Sequence, residues 1–306
     1  MSESIKNRYE FVMLFDCENG NPNGDPDAGN LPRVDPETGY GIVTDVCIKR
    51  KIRNYVETVK EGDKNYQIFI KNGDPLVSVE NDAFATVGIE NASDKKADAL
   101  KKEIKNKKDD DVDVDGMVKD YLCGNYYDIR TFGAVLTTCV KGALNCGQVR
   151  GPVQLTFAKS IDPIMPQEIS ITRTAITTQA DAEKKSNEMG RKAIIPYGLY
   201  RAEGFISANL ARKVTGFSED DLALLWQAII NMFDCDHSAA RGKMALRELV
   251  VFKHENELGN APSYKLFDSV SVERIDKTKP ARAYSDYKVT VDESAVPNGV
   301  SVKRMI

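Results

Sequence analysis

Arg8–Cys17 reads RYEFVMLFDC, a stretch in which polar and apolar residues alternate at first and then give way to an apolar run. That is the pattern of a strand that enters a core. A turn-rich loop follows, Asp16–Arg33, DCENGNPNGDPDAGNLPR. Beyond it, Thr44–Gly62, TDVCIKRKIRNYVETVKEG, opens on Thr44 as an N-cap and stops at Gly62. At helical spacing Ile48, Ile52, Tyr55, Val56 and Val59 share one arc, with Lys49, Arg50 and Arg53 on its flank. The unit is a strand, a long loop, and a helix docked by one side and basic beside it.

Further along the chain, YQIFI (66–70) and PLVSV (75–79) read as short strands, and 92–111 as a lysine-rich, mostly solvated helix. Residues 63–124 are therefore expected to form a helical insertion. YYDIRTFGAVL (126–136) and VRGPVQLTFAKSI (149–161) read as strands from their β-branched and aromatic content. EISITRTAITTQ (168–179) has a period of two over Ile169, Ile171, Arg173, Ala175 and Thr177, and the wholly polar run that follows makes it one arm of a projecting hairpin. IIPYGLYRAEGFISANLARKV (194–214) returns as a strand. FSEDDLALLWQAIINMF (217–233) is a helix with a capping box at Ser218 and Asp221 and a stripe of Leu222, Leu225, Trp226, Ile229 and Phe233. ALRELVVFKH (245–254) is expected to be the last strand of the core.

The core order is strand, helix, strand, strand, helix, strand, the split βαβ pattern of an α+β, ferredoxin-like fold. It is also the RRM layout, whose sheet is a common RNA platform. The expected parts are an RRM-like palm (1–62, 125–158 and 198–254), the helical insertion (63–124), a projecting β-hairpin thumb (159–197) and a C-terminal extension (255–306).

With 306 residues, 42% hydrophobic and 29% charged, the chain has the composition of a soluble globular protein. Nothing in it matches a membrane span or a basic, apolar secretory leader, so a cytoplasmic location is expected. The six cysteines form no CxxC pair and have only two histidines to join them, so neither a zinc site nor a disulfide frame is indicated, and buried reduced thiols are expected. No GxxxxGK[ST] or GxGxxG motif marks a nucleotide site, and no cofactor is implied. The net charge of −4 is unevenly spread. Asp109–Asp115 is acidic, whereas Asp45–Arg53 sets one acid against four bases and 173–213 sets four against eight. Two basic zones in an acidic chain suit an anionic partner held along a defined path.

The Asp16–Arg33 loop is rich enough in acids and amides to suggest a calcium site. Counted from Asp16, however, an EF-hand register puts Gly20 where a ligand is needed and Asp27 where the closing Glu belongs, and Pro22 and Pro26 interrupt it. No metal is expected there. The competing readings are a solvated turn-rich loop and a loop lying along a ligand.

TDVCIKRKIRNY, with its Lys-Arg-x-Ile-Arg core, is similar to the start of the first helix in the CRISPR-associated backbone subunits of type I Cascade complexes. YYDIRTFGAVL, GPVQLTFAKSIDPI, MGRKAIIPYGLYR and HSAARGKMALRELVVF resemble further segments of the type I-C member of that family, in the same order from residue 8 to about 254. The resemblance implies a non-catalytic subunit that polymerises along a CRISPR guide RNA beside other Cascade subunits. It would grip the sugar-phosphate backbone, kink it with a thumb, and leave the bases to pair with target DNA. Lys49, Arg50 and Arg53 become the expected phosphate contacts. Arg33, Arg130, Arg241, Arg191 and Lys192 are further candidates, each with surface or packing as the competing role. Asn21, Asn23 and Gly24 are candidates for close backbone approach, and Met189 with Ile171 for an apolar wedge. Related type III subunits cut target RNA with an acid in the loop after the first strand. Asp25, Asp27 and Asp35 therefore keep a metal-dependent RNA endonuclease as the alternative.

Overall fold

A computed structural model describes residues 3–73, 76–109, 112–136, 148–178 and 187–306. Its centre is a curled antiparallel sheet of eight strands. In chain order these are β1 (Tyr9–Gly20), β2 (Tyr40–Val43), β3 (Val153–Leu155), β4 (Ala158–Pro163), β5 (Gln167–Arg173), β6 (Glu188–Ile206), β7 (Lys243–His254) and, from the C-terminal segment, β10 (Val300–Arg304). They lie side by side as β10-β7-β1-β6-β4-β2, with β3 and β5 also paired to β6.

β1 is buried on both faces, as its sequence requires. Phe11, Met13, Phe15 and Cys17 point to one side, into a cluster with Ile48, Ile52 and Val56 of α1 (Asp45–Val59) and Leu225, Ile229 and Phe233 in and after α6 (Glu219–Asn231). Trp226 of α6 meets Phe11 edge-on at 5.2 Å. Both helix starts match their sequence signals. Thr44 Oγ1 accepts from the Cys47 N–H at 3.3 Å, and Ser218 and Asp221 form a reciprocal capping box.

Val12 and Leu14, on the other face, join Leu199, Val250 and Phe252 in a separate cluster that the C-terminal segment completes. Leu266 and Phe267 of α7 (Ser263–Asp268), Val270 of β8 (Val270–Arg274) and Tyr287 of β9 (Tyr287–Val291) lie over them. Two sequence expectations are corrected here. Strand β7 does not end the sheet, because β10 pairs beside it from Val250↔Arg304 to His254↔Val300. Nor is the sheet face an open platform of the RRM kind, because residues 263–296 lie over it. Polar groups fix the cover: Arg201 donates to the carbonyls of Val270 (2.6 Å) and Phe267 (2.7 Å), and Tyr287 Oη donates to Asp162 at 2.8 Å. Buried Glu10 accepts from Arg8 Nε (2.7 Å), Ser263 Oγ (2.8 Å) and His254 Nε2 (2.5 Å).

Residues 76–125 are largely helical and pack around a hydrophobic cluster separate from the sheet's. Helices α2 (Leu76–Ala85), α3 (Ala97–Asp109) and α4 (Val114–Asn125) bury Phe84, Leu100, Ile104, Val118 and Leu122 together with Phe69 and Ile129. The strands expected at 66–70 and 75–79 are not found. Gln67 makes one isolated bridge to Tyr126, and 76–79 open α2. The strand expected at 126–136 is instead a helical turn, α5 (Tyr127–Phe132), followed by a short ladder of 133–135 with 148–150. All six α5 residues are buried, and the Asp128 carboxylate accepts from the N–H groups of Phe69 (2.8 Å) and Ile70 (3.0 Å). Tertiary contacts have overridden the local β preference.

Strand β6 runs through both parts of the molecule. Its pairing with β1 ends at Gly20↔Ile195 and its pairing with β5 begins at the next residue, Ile194↔Gln167. The hairpin arm is thus 167–173 with 188–194, while β4, assigned to the hairpin from sequence, lies in the main sheet between β6 and β2. Most of the polar tip expected at 180–192 lies outside the described residues. No helix among the described residues is long and apolar enough to cross a membrane.

Candidate nucleic-acid interface

The end of β1, the loop after it, the first turns of α1 and the turn before β7 meet at one rim of the sheet, where its central strands end. Gly20 is required there: a Cβ would stand 2.0 Å from the Arg241 carbonyl oxygen. Gly242 faces it in left-handed backbone, φ +63°, against the Glu18 carbonyl. The Asn21 N–H donates to the Ala240 carbonyl at 2.8 Å, and Cys17 Sγ donates to that of Arg241 at 3.6 Å.

The loop is organised by its own amides. Asn23 Oδ1 accepts from both the N–H and the hydroxyl of Thr44, each at 2.9 Å, while that hydroxyl caps α1. The Asn23 carbonyl accepts from the Arg33 N–H (3.1 Å), and Asn21 Nδ2 donates to the Asn30 carbonyl (2.7 Å). Asn23, a candidate for approach to a ligand, is thus engaged in placing the helix start, whereas Asn21 ties the loop to Asn30 and keeps its Oδ1 without a partner among the described residues. Gly24 packs against the Asn30 side chain, where a Cβ would clash at 1.9 Å.

The candidate cations fall into three states. Arg50 is exposed and makes no ion pair among the described residues. Lys49, Arg53, Arg33 and Arg241 are tethered: Lys49 to Asp45 (2.8 Å), Arg53 to buried Asp128 (2.8 Å), Arg33 loosely to Asp25 (3.4 Å) and Arg241 to Asp236 (2.7 Å). Lys49 and Arg53 also flank the Phe132 ring, each 5.4 Å from its centre. Arg130 is the third state, and its place among the phosphate contacts is corrected. It is 2% exposed, pairs with Asp221 at 2.8 Å, and donates to the carbonyls of Cys123, Gly124 and Asn65. A guanidinium so enclosed holds helices together.

Sequence reasoning missed three residues. Lys51 is buried inside the apolar arc of α1, where spacing from Ile48 and Ile52 could have flagged it. Its partner Asp236, and Asp128 opposite Arg53, have no local signal because each pairs across the fold. Burial holds the Cys47 thiol above its ordinary value while Lys51, Arg241 and Arg33 pull it down, which places three cations around the first turn of α1.

Asp25 caps the turn at 26–28 through the Asp27 N–H (3.2 Å) besides meeting Arg33. Asp35 accepts from Thr38 Oγ1 (2.6 Å) and the Glu37 N–H (3.1 Å), hydrogen bonds that hold its carboxyl below the usual range. Among the described residues no three His, Cys, Asp or Glu side chains converge as a metal site.

Strand β5 is exposed at every residue. Arg191 and Glu168 form an open ion pair at 3.5 Å across the hairpin, and Lys192 stands opposite Ile169. The pairing of Met189 with Ile171 as one wedge is corrected by the register. Ile171 faces Gly190 and Met189 faces Thr172, so the two side chains leave opposite faces of the ribbon. The thiol expectation holds for buried Cys17 and Cys123, but Cys235 is exposed; Cys139 and Cys146 lie outside the described residues.

The family model described as CRISPR-associated protein Cas7 matches residues 7–292. A curated protein from Haloferax volcanii described as CRISPR-associated protein Cas7 is 26% identical over 272 residues, covering 83% of this chain and 72% of its own. Among solved structures, a chain of "CRISPR RNA-guided surveillance complex, pre-nicking" superposes with a TM-score of 0.51 at 14% identity, over 84% of this chain and 81% of that one. A chain of a second "CRISPR RNA-guided surveillance complex" reaches 0.46 at 13% identity, over 80% of this chain and 68% of its own.

Proposed function

The chain belongs to the CRISPR-associated protein Cas7 family, and on that premise we propose that it is a non-catalytic backbone subunit that coats guide RNA in a type I-C surveillance complex. Copies of the chain line up along the RNA beside other Cascade subunits in the cytoplasm, hold its sugar-phosphate backbone, and leave its bases to pair with target DNA. The strand order β7-β1-β6-β4 with α1 and α6 on one face supports reading the centre as a ferredoxin-like, RRM-like palm. The exposed β5/β6 ribbon supports reading the hairpin as a thumb.

The observation that carries the proposal is the edge where α1 begins. Partly exposed Arg33 and Arg241 lie in a loop and a turn whose backbones lock to the end of β1, and exposed Arg50 stands on α1, the helix into which that loop leads. Lys and Arg in a fixed frame hold phosphates without reading sequence. The covered sheet face directs RNA to this edge rather than across the strands.

The test is purification followed by binding and cleavage assays. The expected result is a protein that carries short RNA, forms long oligomers, and leaves added RNA intact with Mg²⁺ or Mn²⁺. Metal-dependent cleavage that disappears in Asp25→Ala or Asp27→Ala would establish the endonuclease alternative instead.

A further inference from the structure

Asp236, in the turn between α6 and β7, holds two cations at once. Its Oδ2 pairs with Lys51 Nζ, and its Oδ1 and carbonyl oxygen both accept from Arg241 Nη1, at 2.7 and 3.2 Å. The side chains of Asp236 and Lys51 are 7% and 4% exposed, whereas that of Arg241 is 41% exposed. Lys51 also sits 5.7 Å from the centre of the Phe233 ring. One carboxylate thus joins the inner side of α1 to a turn whose backbone is locked against the end of β1 at Gly20 and Asn21.

We propose that Asp236 is a positioning residue for RNA binding. It fixes the guanidinium of Arg241 toward the interface edge and pins α1, through Lys51, so that Arg241 and the exposed cation of α1, Arg50, keep a set arrangement toward the RNA backbone. The inference rests on the RNA-binding reading above. It gives a buried ion pair a task beyond stability, since well-packed apolar residues can replace such a pair without loss of fold. A bound nitrogen also has a set direction, and direction separates a charge-assisted hydrogen bond from diffuse attraction.

Charge makes the test decisive. Two cations against one carboxylate leave one net positive charge in the cluster. Asp236→Asn raises that charge, so diffuse attraction alone predicts tighter RNA binding. Loss of positioning predicts weaker binding, by about tenfold if one charge-assisted hydrogen bond is lost. Lys51→Met with Asp236→Leu keeps the net charge, removes the unpaired buried cation, and serves where the single variant does not fold. Affinity for a single-stranded RNA is measured across a salt series on folded protein, with wild type and Arg241→Ala alongside. The expected result is a similar loss in all variants, with no further loss when Arg241→Ala is added to the double substitution. Wild-type affinity in the double variant, or tighter binding by a folded Asp236→Asn, overturns the inference and leaves the RNA-binding reading intact. A wild-type protein that binds no RNA overturns both.

Discussion

Arg130 and Lys51 show how far a cation's position in sequence can mislead about its work. Both sit in motif-like stretches, yet Arg130 closes a buried junction of α4, α5 and α6 and Lys51 pairs beneath α1. Arg130→Met leaves Asp221 buried without its partner, a change that costs about 3–5 kcal/mol. Urea unfolding should register that loss while the folded fraction keeps its RNA affinity; the reverse pattern would return Arg130 to the interface. The thiols divide by burial. Cys17 is pushed up to about 12 by burial and by Asp16 beside it, so at pH 8 it is almost entirely the unreactive thiol. Peptide mapping after brief iodoacetamide treatment should find exposed Cys235 modified and Cys17 intact until the chain is denatured. Lys51 was legible in principle, since a lysine within an apolar arc demands a partner. Asp236, 185 residues away, was not.

Helices α1 and α6 were readable because their signals are local: a cap, an apolar stripe and a stop. Loss of the α6 cap in Ser218→Ala should cost about 1 kcal/mol, read as a lower melting temperature. α2 and α5 were misread for the converse reason, because their apolar residues suit a strand equally well and burial against distant segments decided the outcome. Strand β5 illustrates a third case. Its alternation marked a strand, but the periodicity did not mark a buried face, since every residue is exposed. Ile169→Ser with Ile171→Ser should therefore shift stability by less than about 0.5 kcal/mol per site. A larger loss would mean that the ribbon packs on the palm. The interface edge was half legible: the Lys-Arg-x-Ile-Arg helix and the loop were visible, whereas the locking of the loop to 240–242 required the fold.

On the scale of the whole molecule, the C-terminal segment makes the sheet two-sided. A chain ending at residue 262 would expose Val12, Leu14, Leu199, Val250 and Phe252, and should bind a hydrophobic dye and aggregate where the full chain does not. Glu10 fastens this cover. Burial raises its carboxyl, but hydrogen bonds from His254 and Ser263 and the charge of Arg8 outweigh burial and leave it below its ordinary 4.5. A depressed carboxyl stabilises the fold above that ordinary value and loses the effect as the pH falls through the folded value. Asp16, raised by burial despite Arg247, acts in the opposite sense, so the readout must be local. Acid should release 255–270 to an acid-active protease, and Glu10→Gln should make release at neutral pH resemble that in acid. Strand β6 has a mechanical consequence. Its ladder passes from β1 to β5 between Ile195 and Ile194, one residue beyond Pro196, which the register leaves unpaired, so the ribbon is a cantilever extending from a core strand. A load on the arm is borne at Gly20, where β1 gives way to the loop that sets α1. On the RNA-binding proposal, strain from a bent strand of nucleic acid would pass along β6 to the loop that sets the start of α1.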